Sequence, residues 1–107
     1  MLYTLNEISV RIAPIAEKYG ISAMYLFGSY ARGDATEESD VDLLFPRQGS
    51  AVRGLLFGAL YDDLQTALGK GIDLVTEESL ADPAERKRSP WFIRKVMREK
   101  VTIYEKQ

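Results

Sequence analysis

Apolar residues near the start of the chain recur with a helical period. Leu5, Ile8, Ile12, Ile15 and Ala16 fall on one face, the spacing of an amphipathic helix. Thr4 and Glu7 frame a capping box, in which each side chain satisfies a backbone N–H of the first turn. Pro14 lies inside the pattern, and its missing N–H predicts a kink or a split there. Gly20 suits the position just past the helix end. The pattern then changes. Ile21 to Phe27 is a continuous apolar and aromatic run, predicted to be a buried strand, and Gly28-Ser29 ends it. Tyr30 to Arg32 predicts a short helical turn, and residues 33–39 a polar loop. Val41 to Phe45 predicts a second strand, halted by Pro46, with a loop over 47–50.

Helical spacing returns with Val52, Leu55, Leu56, Ala59, Leu60, Leu64, Ala67 and Leu68, the longest amphipathic stripe in the chain. Gly69-Lys70-Gly71 breaks it. Ile72 to Thr76 predicts a third strand, with Asp73 inside it, and residues 77–89 a polar loop with a helical turn. Pro90 suits the first turn of a last helix, for which Phe92, Ile93, Val96 and Met97 form the apolar stripe. Val101 to Tyr104 predicts a closing strand. This order of elements predicts an α/β (α+β) fold: a single mixed β-sheet with helices packed against it, spanning residues 1–107 as one domain.

Composition narrows the chemistry by exclusion. Fourteen basic and 16 acidic residues leave a net charge of -2, which gives no overall field for a direct nucleic-acid partner. The chain has no cysteine and no histidine. Disulfides, thiol nucleophiles, Ser-His-Asp triads and His- or Cys-bound zinc are therefore excluded. Catalysis would rest on carboxylates, Lys, Arg, Tyr, Ser and Thr, and an oxygen-only ligand set points to Mg²⁺, or Mn²⁺, rather than zinc or copper. No signal-like start and no apolar run long enough to span a membrane are present. These features predict a cytoplasmic protein.

Within this frame the stretch from Tyr25 to Leu44 stands out. Asp40 and Asp42 are two apart at the start of a strand, so their side chains share a face. Their mutual repulsion would be relieved by a divalent cation. Asp73 interrupts a second apolar strand and adds a third carboxylate, the number a two-metal site needs. Gly28-Ser29, at a strand end that enters a helical turn, aims N–H groups and a hydroxyl at one point, a fitting place for phosphate. Arg32, one turn on, could reach a phosphate oxygen. Each feature also has a plain reading as turn, strand end or solvated charge. The combination carries the argument.

Gly28, Ser29, Ala31, Arg32, Gly33, Ser39, Asp40 and Asp42 together resemble the signature of the polymerase-β-like nucleotidyltransferases, and specifically the minimal, MntA-type group. The resemblance extends over nearly the whole chain and implies the palm fold of that superfamily. It implies transfer of a nucleoside monophosphate from a nucleoside triphosphate, with release of pyrophosphate. Asp40 and Asp42 would ligate two Mg²⁺ ions, and Asp73 would ligate the catalytic metal and orient or deprotonate the acceptor hydroxyl. Gly28, Ser29, Arg32 and Ser39 would hold the nucleotide, with ATP as substrate. Members of the group are often antitoxins paired with a HEPN-domain toxin, several of them attaching AMP to a tyrosine of that toxin. This implies a hetero-oligomer in which the partner supplies the acceptor. Two other readings stay open: a non-catalytic antitoxin that masks its partner, and the catalytic subunit of a small-molecule, antibiotic-type nucleotidyltransferase. The basic residues Arg86, Lys87, Arg88, Arg94, Lys95 and Arg98 could dock the partner or the triphosphate, or could simply be solvated.

Overall fold

A computed structural model describes residues 1–82 and 89–106. The basic residues Arg86, Lys87 and Arg88 lie outside that description. Helix α1 (Leu5–Lys18) opens with the expected capping box: the Glu7 N–H donates to Thr4 Oγ1 at 3.1 Å and the Thr4 N–H to Glu7 Oε1 at 2.8 Å. Pro14 does not split this helix, which runs on to Lys18. The carbonyl that loses its intrahelical donor belongs to Val10, and both Val10 and Pro14 lie on the exposed side, where water can replace the missing bond. Strand β1 (Ala23–Phe27) leads directly into the short helix α2 (Gly28–Arg32), and β2 (Val41–Phe45) follows the polar loop.

Helix α3 (Leu55–Leu68) begins later than the stripe suggested. Val52 is buried ahead of it, whereas Leu55 is 96% exposed and Leu56 44% exposed. Gly54, at φ 51°, turns the chain between them, so the apolar period continues in sequence across a break in the backbone. Strand β3 (Ile72–Thr76) is followed by a true helix, α4 (Glu77–Ala81), capped by the Thr76 hydroxyl. Helix α5 (Pro90–Glu99) has Pro90 in its first turn and Ser89 as its cap. Met97, expected in its apolar stripe, is exposed. Strand β4 (Val101–Glu105) closes the sheet.

The strand order is β3-β2-β1-β4. β1 pairs antiparallel with both β2 and β4, and β2 pairs parallel with β3. The parallel pair needs a crossover, which α3 supplies. One sheet face carries Met24, Leu26, Val41, Leu43, Phe45 and Ile72, packed with Ile8, Ile12 and Ala16 of α1 and Leu60, Leu64 and Leu68 of α3. The other carries Phe27, Leu44 and Val75 under Leu80 of α4 and Val96 of α5. Apart from Ala16, each of these side chains contributes about 1.5–3 kcal/mol when fully buried. Asp63 of α3 accepts from Lys18 Nζ at 3.1 Å and Tyr19 Oη at 2.7 Å, clasping the end of α1. The Tyr19 bond, with Lys18 adding to it, holds the Asp63 carboxyl below its ordinary range.

Candidate active site

Register places the acids. Phe27 lies opposite Asp42, and Asp42 opposite Asp73. Cross-strand neighbours share a face, so both carboxylates stand on the α4/α5 side of the sheet, beyond the apolar cluster. They line a cleft of about 290 Å³ together with Phe27, Gly28, Ser29 and Arg32. Helix α5 forms the opposite wall with Trp91, Phe92, Lys95, Val96 and Glu99. The strand that ends in Gly28-Ser29 and the two acid-bearing strands therefore meet at one opening.

Glycines make room for the acids. Gly28 has φ 73°, and a Cβ built on it would lie 2.0 Å from Asp42 Oδ2. A Cβ on Gly71 would lie 2.6 Å from Asp40 Oδ1. No side chain fits at those separations without moving the carboxylate. Gly28 answers both a backbone and a steric demand, Gly71 a steric one alone. Gly71 went unnoticed in the sequence because its neighbours mark it only as a helix breaker.

Asp40 and Ser39 stand apart from the cleft lining. Asp40 is exposed at the entry to β2, beside Gly71, whose carbonyl accepts from the Val41 N–H at 3.0 Å. The Ser39 hydroxyl closes its own loop, accepting from the Thr36 N–H at 2.8 Å. Arg32 does face the cleft, with its charge already engaged: Nε is 3.4 Å from Asp34 Oδ2 and Nη1 3.3 Å from Glu99 Oε2. Its pKa is raised, chiefly by the Asp34 bond with Glu99 adding to it. A bound anion at Ser29 would have to share or replace these acidic partners.

Lys70 braces the site from behind. Its ammonium donates to Tyr30 Oη at 2.8 Å, to the Glu37 carbonyl at 3.1 Å and to the Met1 carbonyl at 2.7 Å. It also lies 5.2 Å from the Tyr30 ring centroid. The buried Tyr30 belongs to α2, Glu37 to the loop before Asp40, and Lys70 to the turn before Asp73. One side chain thus fixes the three segments that carry the site relative to one another. Read in sequence, Lys70 is only the middle of a glycine-flanked turn.

Among the described residues, no group of three or more acidic side chains is placed to hold a metal ion by itself. The donor chemistry nevertheless suits a hard cation. Mg²⁺ is commonly bound by one or two carboxylates together with substrate phosphates, and Asp42 and Asp73 supply two carboxylates in a cleft that opens onto Gly28-Ser29. No helix among the described residues is long and apolar enough to cross a membrane.

Known proteins resemble this chain in sequence and fold. Residues 12–103 match the family model described as the nucleotidyltransferase domain. The protein adenylyltransferase MntA of Thermococcus cleftensis is 40% identical over 84 residues, covering 74% of this chain and 83% of that protein. Among solved structures, a toxin–antitoxin complex with AMP-PNP contains a chain that superposes with a TM-score of 0.67 at 21% identity, covering 92% of this chain and 74% of that one. A second, from the tri-AMPylated Shewanella oneidensis HEPN toxin in complex with its MNT antitoxin, superposes at 0.62 with 19% identity, covering 96% and 74%. By the extent of the family match and the identity to MntA, this chain belongs to the nucleotidyltransferase domain family and stands with its minimal, MntA-type members.

Proposed function

We propose that the chain transfers AMP from ATP to a tyrosine hydroxyl of a HEPN-type toxin and acts as that toxin's antitoxin. The convergence of Gly28, Ser29 and Arg32 with Asp42 and Asp73 in one cleft carries this reading. Relatives support it: a protein adenylyltransferase by name and an AMPylated HEPN toxin solved with its MNT antitoxin.

The acceptor oxygen attacks the α-phosphorus of ATP. A P–O bond forms to the acceptor, the bond to the bridging oxygen breaks, and pyrophosphate leaves. Gly28 and Ser29 hold the β- and γ-phosphates. Asp73 orients the acceptor hydroxyl and takes its proton. Arg32 exchanges an acidic partner for a phosphate oxygen. Asp42 and Asp73, with Asp40 joining from the strand entry, would hold Mg²⁺, which when bound neutralises charge on the phosphates. Ser39 keeps the loop that delivers Asp40 in place.

Intact-mass measurement of a co-expressed HEPN-type partner tests the reading. Added AMP is expected with the native chain and is absent with Asp42→Ala/Asp73→Ala, provided that the variant's melting curve shows it folded. AMP transfer by that folded double variant would refute the site. Neutralisation of the toxin by it, without transfer, would favour masking over catalysis.

A further inference from the structure

Trp91 is the only tryptophan in the chain, and the fold does not use it as core. It is 61% exposed, whereas Val96 on the same helix is 2% exposed. Its neighbour Phe92 packs edge-on against Phe27, with ring centroids 6.3 Å apart and an interplanar angle of 82°. That contact, the Ser89 cap and Pro90 in the first turn fix the start of α5. That places the indole at the rim of the cleft that Ser29, Arg32, Asp42 and Asp73 line from the other side. Lys95, one turn on, brings a cation to the same rim, with Nζ 5.0 Å from the indole centroid.

The cleft's size sharpens what this rim is for. At about 290 Å³ it falls at the lower limit of small-molecule sites, which run from about 300 to 1,000 Å³. Phosphates seated at Gly28-Ser29 fill much of it, and the base of a nucleotide must then lie at the edge. An exposed indole at that edge offers a flat π-face, and stacking of a base on an aromatic ring tolerates any base. We propose that Trp91 is the nucleobase platform of this site and that Lys95 supplements the phosphate-binding charge beside it. The proposal rests on the nucleotidyl-transfer reading. It adds a binding residue from a helix that carries none of the signature motif.

The single tryptophan makes the test direct. Intrinsic fluorescence of the full chain with Mg²⁺ is followed during titration with ATP and with tripolyphosphate, which has the same phosphates and no base. ATP is expected to change the emission. Tripolyphosphate is expected to change it less than ATP does, through Lys95 alone, and to displace ATP. By calorimetry, Trp91→Ala is expected to weaken ATP about tenfold while leaving tripolyphosphate affinity as it was, and Trp91→Phe is expected to retain most of the ATP affinity. Unchanged ATP affinity in Trp91→Ala overturns the platform and leaves the phosphate site standing, whether or not partner binding falls. Equal weakening of both ligands also overturns it, because Trp91 would then act through the fold. If the native chain binds neither ligand, the nucleotidyl-transfer reading fails and the platform with it.

Discussion

The two faces of the sheet are finished differently. Under α1 and α3, the inward side chains Leu26, Leu43, Phe45, Leu60 and Leu64 are wholly buried, and no cleft residue lies among them. Under α4 and α5, an apolar cluster of Phe27, Leu44, Val75, Leu80 and Val96 occupies only part of the face. The strands there run on into Gly28, Asp42 and Asp73, where the cover stops. Alternation along β2 shows the division in one element: Val41, Leu43 and Phe45 go to the sealed face, and Asp42 and Leu44 to the open one. A chain of 107 residues can maintain carboxylates on a sheet when the opposite face supplies most of the burial. Stability and chemistry are separated by strand parity.

That separation can be broken. The largest effect on transfer is expected from Gly28→Ala. A methyl there meets Asp42 Oδ2 at 2.0 Å and the backbone has a positive φ, so the residue costs about 1–2 kcal/mol of stability. It also displaces an acid of the site, and AMP transfer should fall about a hundredfold or more, as read by mass of the modified partner.

Next come paired truncations of the two faces. Leu64→Ala on the sealed side should lower stability by about 3–5 kcal/mol. Leu80→Ala on the open side should cost about 2–3 kcal/mol, since its cover is the short helix α4, which can relax more easily into a cavity. Denaturant melts compare them, and equal losses would contradict the division of labour.

Gly71→Ala probes the outlying acid. Its φ is ordinary and its added methyl meets the Asp40 carboxylate, with Oδ1 at 2.6 Å and Cγ at 3.1 Å. Stability should stay within about 0.5 kcal/mol, and transfer should fall about tenfold if Asp40 serves the site. Unchanged transfer would place Asp40 outside it.

The smallest expected effect concerns pH. Burial pushes the Glu78 carboxyl up, but the N–H groups of Arg47 and Gln48, both at 2.9 Å, outweigh it and leave the pKa below the ordinary 4.5. A lowered folded pKa gives stability that is present above 4.5 and is lost as pH falls through the folded value. Glu78→Gln should therefore melt a few degrees lower near neutral pH and converge on the native chain in acid.

The sealed face was the more legible in sequence, because burial against two long helices imposes a period that neighbouring residues repeat. Ile8, Ile12, Leu60 and Leu64 announce themselves in that way. The helix runs on through Pro14, and Leu55 falls outside the buried stripe, for a common reason: each sits where solvent or a glycine turn relieves the local rule, and only tertiary context says where that happens. The acids Asp42 and Asp73 were legible as charges interrupting apolar strands. Gly71, Lys70 and Trp91 were not. A glycine that spares a carboxylate, a lysine that ties distant segments and an indole at a rim derive their roles from residues far away in sequence. Ser39 and Arg32 were singled out by the motif, yet one closes its own loop and the other is paired with acids. A motif specifies residue types, while their hydrogen bonds depend on the surrounding chain.

Strand order also has a consequence for how the molecule is made. β1 is an interior strand only because β4 pairs with it, and residues 101–105 are translated after the other three strands of the sheet. Until then the backbone of Met24 to Leu26 offers an unpaired edge beside the finished β1–β2 hairpin, a template for stray strands. The Ser9 hydroxyl bond to the Ile103 carbonyl and the Lys106 N–H bond to the Ser22 carbonyl form only once β4 is in place. A nascent chain stalled before residue 101 would thus expose a sticky border on the ribosome, which only the arrival of β4 covers.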